Sequence, residues 1–475
     1  MEFRGRAADL RVLSRQLETV AEGRGATRGR AVIMTGRRRV GKSRLVQEFC
    51  DRSGLPYTVF QATRGRNPVA ERADFATALG PLTGAELVAG LRAADWNQAL
   101  RSLALALPDD TPSIAVIDEV PWLMEGDGEF EGALQTVWDR YLSAKPVLLI
   151  LVGSDMAVME SLQSHGRPFF GRAAKMTVRP LHLADVQAMT GLGAADAVDA
   201  LLITGGFPEI VQSWRPGTCR ADFLEESMGN PLSPLLAAGE LTLLGEFPEA
   251  SHSRAVLEAI GSGERTFSTI ASQAGGAGAL PSGTLAPLLN TLQAKRVVAA
   301  DLPLSAKPDT KNKRYRIADP YLRFWLAFLQ RGLPLIERGR GDLALERIER
   351  SWTSWRGRAV EPVVRASLLR LLPNADWPDT EAVGGWWNRQ NNPEIDLIGT
   401  DREPVAGSVR FAGSIKWLES QPFGRHEYDT LVRDVLAVPG ADPGTPLVAV
   451  SRAGVDKDLP LAGWWGPEDL VEAWR

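Results

Sequence analysis

Residues 36–43 read Gly-Arg-Arg-Arg-Val-Gly-Lys-Ser, a G-x-x-x-x-G-K-S spacing with one obvious chemistry. Glycines at both ends let the backbone wrap tightly enough for its N–H groups to converge on phosphate oxygens. A helix starting beside Lys42 adds its positive N-terminal end. Lys42 then reaches the β- and γ-phosphates, and the Ser43 hydroxyl offers a hard oxygen to Mg²⁺. Gly36, Arg37, Arg38, Arg39, Val40, Gly41, Lys42, Ser43 and Arg44 form the candidate nucleotide-binding stretch. The three arginines read as exposed loop positions whose backbone, not side chain, faces the phosphates.

A phosphate loop needs an acidic partner at the end of another strand. Asp118-Glu119 closes the apolar run 113–118. Asp118 is the candidate Mg²⁺ residue beside Ser43. Glu119 is the candidate base that orients and deprotonates water. Two adjacent acids favour hydrolysis over simple nucleotide storage. Ser154 follows a third apolar run, 147–152, where it either senses the γ-phosphate or closes a turn.

These residues need a frame. Apolar, β-rich runs at 31–35, 57–62, 113–118 and 147–152 alternate with helical patterns at 43–50 and across 70–107. Continuous apolar strands alternating with helices predict a parallel α/β sheet covered on both faces. From 181 to 250 the pattern is helical. Segment 251–320 predicts helices at 253–261, 267–274 and 282–294, then a two-stranded wing at 297–301 and 313–319. After residue 350 come nine of the 14 tryptophans, a shift that marks a separate C-terminal domain.

Length and composition agree with such a modular chain. At 475 residues, about three domains are expected. Hydrophobic residues at 44% and charged residues at 24% exclude disordered and fibrous classes. A net charge of −4 excludes a wholly basic nucleic-acid coat. Two cysteines and four scattered histidines exclude a disulfide framework and a Cys- or His-rich metal site. No apolar run is long enough to span a bilayer, and the opening residues carry no signal-peptide core. A cytoplasmic setting without membrane contact is expected.

Several stretches, in order, resemble the archaeal-type AAA+/STAND P-loop ATPases, including prokaryotic relatives with a C-terminal nuclease-like module. Phe3-Arg4-Gly5-Arg6 with Leu10 and Leu13 looks like the family's N-terminal box. GRRRVGKSRL and VIDEVPWL look like its two nucleotide motifs, and LVGS (151–154) like its sensor strand. Pro168-Phe169-Phe170-Gly171-Arg172, Gly205-Gly206-Phe207-Pro208, and Tyr315 to Tyr321 with Phe324-Trp325 are similar to its later landmarks. The resemblance implies ATP or ADP as nucleotide, with Arg6 and Pro208 flanking the adenine. It makes Arg172 a candidate charge on the γ-phosphate, in its own chain or a neighbour's. A surface salt bridge is the other reading of Arg172.

The predicted wing carries Lys307, Lys311, Lys313, Arg314 and Arg316, and the helix before it offers Asn290, Gln293, Lys295 and Arg296. They either contact DNA or make the winged helix an internal lever. Further on, Glu361 on a helix, Asp396 on a strand, and Ser414 and Lys416 on the next strand look like a PD-(D/E)XK nuclease core. There two carboxylates hold Mg²⁺ and a lysine activates water. Ser414 stands where that core needs a carboxylate, so a degenerate site is expected. Glu394 is the remaining acid within reach, and the clustered tryptophans are either core or stacking platforms.

The expected organisation is an ATPase core (1–180), a helical lid (181–250), a winged helix (251–335) and a degenerate nuclease-like α/β domain (336–475). The expected activity is Mg²⁺-dependent ATP hydrolysis driving a conformational switch, with Glu119, Lys42, Ser154 and Arg172 as catalytic candidates. The alternatives are an ATP-gated DNA nuclease and a DNA-binding transcriptional regulator with a vestigial ATPase. Double-stranded DNA, a protein partner or further copies of the chain are the expected partners.

Overall fold

The computed structural model describes residues 3–23, 27–246, 251–276 and 278–475. They fall into two compact units, Met1–Pro180 and Leu181–Arg475. The boundary expected at 250 falls at residues outside those described.

The first unit is built on β1 (Arg30–Thr35), β2 (Tyr57–Gln61), β3 (Ser113–Asp118), β4 (Val147–Val152) and β5 (Ala173–Thr177). All neighbours are parallel, in the order β2-β3-β4-β1-β5. β3 and β4 are buried at every position, which is why both read as unbroken apolar runs. β5 is an edge strand of sequence AAKMT with only Met176 buried. One face of the sheet is covered by a cluster holding Phe60, Phe75, Trp96 and Phe130. Its rings meet edge-on at 5.0–5.6 Å for the Phe60–Phe75, Phe75–Trp96 and Trp96–Phe130 pairs. Such pairs each add about 0.5–1.5 kcal/mol beyond the area they bury. This packing fixes the carboxyl ends of β1, β3 and β4 side by side.

The second unit starts with helices Leu183–Thr190 and Ala194–Thr204. Helices Ser251–Gly261, Phe267–Ala274 and Ser282–Ala294 precede an antiparallel ribbon of β6 (Val298–Asp301) and β7 (Arg314–Ile317). The 31-residue helix Gly341–Leu371 leads into a separate mixed sheet. Its strands are β8 (Ala382–Trp387), β9 (Glu394–Thr400), β10 (Val409–Lys416), β11 (Leu447–Ser451) and β12 (Gly463–Trp465), in the order β12-β11-β10-β9-β8. β8, β9 and β10 are antiparallel, while β10, β11 and β12 run parallel.

Cores within the second unit join segments on both sides of the expected boundary at 335. Leu183, Val198 and Leu202 share one core with Val360, Phe411, Trp417 and Val448. Leu304, from the loop between β6 and β7, sits in another core with Trp386, Ile398 and Phe423. That loop is stitched down by Leu304 N–H to Gly385 O (2.8 Å) and Ala306 N–H to Pro439 O (2.9 Å). Of the late tryptophans, Trp352, Trp386, Trp387, Trp417 and Trp465 are buried, so most of the enrichment is core, while Trp464 is exposed.

Candidate functional site

The turn after β1 has the backbone its sequence requires. Gly36 has φ 156°, and a Cβ there would stand 2.5 Å from the Val178 carbonyl oxygen, so only glycine fits. Gly41 caps the helix Lys42–Ser53 at φ 86°. Val40 is buried, Arg38 and Arg39 are exposed, and Arg37 is half-buried. Lys42 is buried, with Nζ 2.8 Å from the Gly36 oxygen and 3.1 Å from that of Arg37. An ammonium held by its own loop in this way stands where an anion inside the loop would meet it.

Asp118 ends β3, one strand away from β4 and two from β1. Its Oδ2 accepts the Ser43 hydroxyl at 2.7 Å, and its Oδ1 accepts the Glu119 N–H at 2.8 Å. A hydroxyl and a carboxylate in contact beside a phosphate loop are a donor set that suits a hard divalent cation. Ser154, just beyond β4, donates to both oxygens of Glu119 at 3.1 and 3.2 Å. The structure therefore brings together Lys42, Ser43, Asp118, Glu119 and Ser154.

Backbone strain gathers at the same place. Among the described residues five non-glycines have positive φ, and three of them are Arg6 (64°), Arg39 (65°) and Glu119 (55°). Left-handed non-glycine backbone costs about 1–3 kcal/mol and tends to persist where function holds it.

Arg6, which the family resemblance implies beside the adenine, is held against the phosphate loop. Its guanidinium is buried and donates to the Val40 oxygen at 2.5 Å, to the Arg179 oxygen, and to Asp9 at 3.1 Å. Those contacts tie it to the phosphate loop through the Val40 carbonyl. Sequence reasoning missed this clamp because the Val40 carbonyl carries no side-chain signal. Arg172 is likewise committed: it grips Asp139 through two bonds of 2.8 and 2.7 Å and also reaches the Pro168 and Phe170 oxygens. This is the surface salt-bridge reading, and Asp139 raises the guanidinium above its ordinary value. Pro208 opens the helix Pro208–Ser213, a position proline favours without any ligand.

Two of the five cations of the predicted wing are paired. Arg314 is buried, pairs with Glu394 (3.0 Å for its second bond) and Asn391 (2.6 Å), and lies over the Trp387 ring at 4.2 Å. Arg316 pairs with Asp301 at 2.8 Å. For these two, the contacts favour the internal role over DNA contact. Glu394 is correspondingly an ion-pair partner.

Asp396 and Ser414 meet, and Arg365 links Glu361 to the same strand. Ser414 Oγ and the Ile415 N–H both donate to Asp396 Oδ2 at 2.8 Å. Arg365 bonds Glu361 at 3.1 Å and the Asp396 main-chain oxygen at 2.7 Å. Lys416 is turned to Glu427 and holds that carboxyl below the usual range. Among the described residues no group of three or more His, Cys, Asp or Glu side chains is arranged to hold a metal ion.

Burial pushes Asp396 above the ordinary carboxyl value, against the lowering effect of the Ile415 and Ser414 donors. Burial likewise raises Glu361, against Arg365. A carboxyl raised on folding contributes stability that is fully present below its unfolded value of about 3.9. That contribution is lost as pH climbs through the folded value. Asp396→Asn keeps the acceptor and removes the charge. Its urea midpoint should therefore gain on the wild type between about pH 4 and pH 7. A difference that ignores pH would contradict this origin.

Among the described residues no single helix is long and apolar enough to cross a membrane. Residues 325–426 match the family DUF234, described as archaeal and bacterial proteins of unknown function. An uncharacterized protein of Methanocaldococcus jannaschii is 24% identical over 391 residues, covering 81% of this chain and 82% of that one. A Walker-type ATPase of Pyrococcus abyssi is 19% identical, with 68% of this chain and 96% of that chain covered at a TM-score of 0.48. The ORC2 protein of Aeropyrum pernix, solved in ADPNP–ADP complexes, is 13% identical, with 71% and 95% covered at 0.48. The first unit, with its parallel sheet and glycine loop between β1 and a helix, has a P-loop NTPase fold.

Proposed function

We propose that the chain is a Mg²⁺-dependent ATPase whose hydrolytic cycle serves as a conformational switch. The observation that carries this reading is the Ser43–Asp118 contact of 2.7 Å at the mouth of the phosphate loop. The residues beside it divide the work. Backbone N–H groups of residues 37–43 hold phosphate oxygens, and Lys42 neutralises charge on the β- and γ-phosphates. Ser43 and Asp118 are the residues that would hold Mg²⁺, which would supply charge screening to the phosphates. Glu119 orients a water molecule and takes its proton, and Ser154 fixes the direction of the Glu119 carboxylate. Arg6 keeps the Val40 carbonyl turned away from the anion. Arg172 takes part only if it leaves Asp139.

The helices after residue 181, the winged helix and the C-terminal sheet act as the responding part. Their shared cores favour movement as one body over three hinged pieces. We assign the C-terminal sheet a degenerate nuclease-like fold that does not cleave. Arg365 holds the Glu361 carboxylate, Ser414 and the Ile415 N–H hold that of Asp396, Ser414 supplies no charge, and Lys416 is paired.

Phosphate release from ATP should appear with Mg²⁺ and cease when EDTA removes it. Release that is indifferent to the chelator would contradict the Ser43–Asp118 assignment.

A further inference from the structure

The second unit contains a cavity of about 270 Å³ with five arginines in its wall: Arg265, Arg316, Arg323, Arg331 and Arg358. They come from the turn after helix Ser251–Gly261, from β7, from residues 320–336 and from the long helix Gly341–Leu371. Among the described residues no aspartate or glutamate lines it. Arg316 is compensated by Asp301 at 2.8 Å, and Arg265 stands 3.9 Å from Glu394. Arg323, Arg331 and Arg358 make no ion pair or side-chain hydrogen bond among the described residues, although Glu361 lies within electrostatic reach of Arg323.

Gathering five like charges around one cavity is unfavourable unless something offsets their repulsion. The strain is visible at Arg323. Burial lowers it to about 10, and Arg316, Arg265 and Arg358 push the same way, against Glu361. Guanidinium groups present forked donors that match phosphate oxygens. Three uncompensated cations exceed what one carboxylate would balance. Trp355, half-buried in the same wall, already stacks on Trp352 at 5.5 Å, and a base would extend that stack.

We infer that this cavity is a second phosphate-binding site, separate from the loop at Lys42, that takes the phosphate of a nucleotide unit with its base against Trp355. A nucleic-acid strand and a free nucleotide both present that chemistry. The helix Ser282–Ala294 is not needed for it, while Arg316 of the predicted wing is part of its wall.

The test uses the full chain carrying Lys42→Ala, which weakens the first phosphate site. Binding of a labelled single-stranded oligonucleotide is followed by anisotropy across about 50–200 mM salt. Arg331 and Arg358 are exposed, so Arg331→Ala/Arg358→Ala keeps the fold. Arg425→Ala/Arg433→Ala, also exposed, removes the same charge elsewhere. The cavity pair should weaken binding about tenfold or more. It should also flatten the salt slope by about 1.4, at about 0.7 per phosphate contact. The control pair should leave both nearly unchanged. Competition by AMP with loss of Trp355 fluorescence, absent in Trp355→Leu, identifies a free nucleotide as sufficient. Oligonucleotide binding that AMP does not displace identifies a strand. Equal behaviour of the two double variants, or no binding of either probe, overturns the inference.

Discussion

Glu119→Gln should lower phosphate release from ATP by about 10²–10⁴-fold, the usual worth of a positioned general base. ATP affinity should be essentially unchanged. Glutamine has the same length and keeps the acceptor for Ser154, whose hydroxyl sits 3.1 and 3.2 Å from the two carboxylate oxygens. It cannot accept the water's proton. Glu119 is also held at φ 55° as the cap of helix Val120–Gly126, so its aim is set by the backbone. A variant that binds ATP normally but no longer turns it over separates the proton step from binding. A rate within a few-fold of wild type would show that another group takes the proton.

Asp199→Ala should destabilise the second unit by about 3–5 kcal/mol, the cost of breaking a buried ion pair from one side. Asp199 Oδ2 accepts from Arg356 at 2.8 Å and from Arg452 at 2.8 Å, and all three side chains are nearly or wholly buried. The triad ties helix Ala194–Thr204 to the long helix and to the end of β11. Alanine would remove the buried acceptor the two guanidinium groups share, leaving Arg356 only Glu419 at 3.1 Å and Arg452 only the outer contacts to Asp196 at 2.7 Å and the Ala195 oxygen. Urea unfolding followed by tryptophan fluorescence reads the effect, since most of the late tryptophans lie in this unit's cores. Replacing all three charges with apolar residues of similar volume should cost much less than the single change. A single variant as stable as the wild type would mean that the triad is hydrated.

The phosphate loop was legible because its chemistry is local. Gly36, Gly41, Lys42 and Ser43 are fixed by one turn, and Asp118-Glu119 sits at the end of a run whose burial leaves no other register. The edge strand β5 was not legible, because AAKMT faces solvent at most positions and shows neither alternation nor an apolar run. β8 was not legible either, because Gly384-Gly385 interrupts its apolar run. In the sheet, a Cβ at Gly385 would stand 2.5 Å from an Arg365 guanidinium nitrogen, so the glycine marks a close approach and not a turn. The Arg6 clamp, the commitment of Arg314 to Glu394 and the arginine cavity all depend on contacts between distant positions. Nothing in a single sequence pairs residue 6 with a carbonyl at 40, or gathers arginines spread from 265 to 358.

The grip of the loop on nucleotide decides whether this chain is an ATPase at all. Calorimetric titration of ATP with Mg²⁺ into the wild type and into Lys42→Ala reads it. Loss of the lysine's charge-assisted bonds, worth about 1.5–3 kcal/mol, should weaken binding about 10- to 100-fold. A wild-type protein that takes up no ATP at millimolar concentration, or a Lys42→Ala variant that binds as tightly, would contradict it.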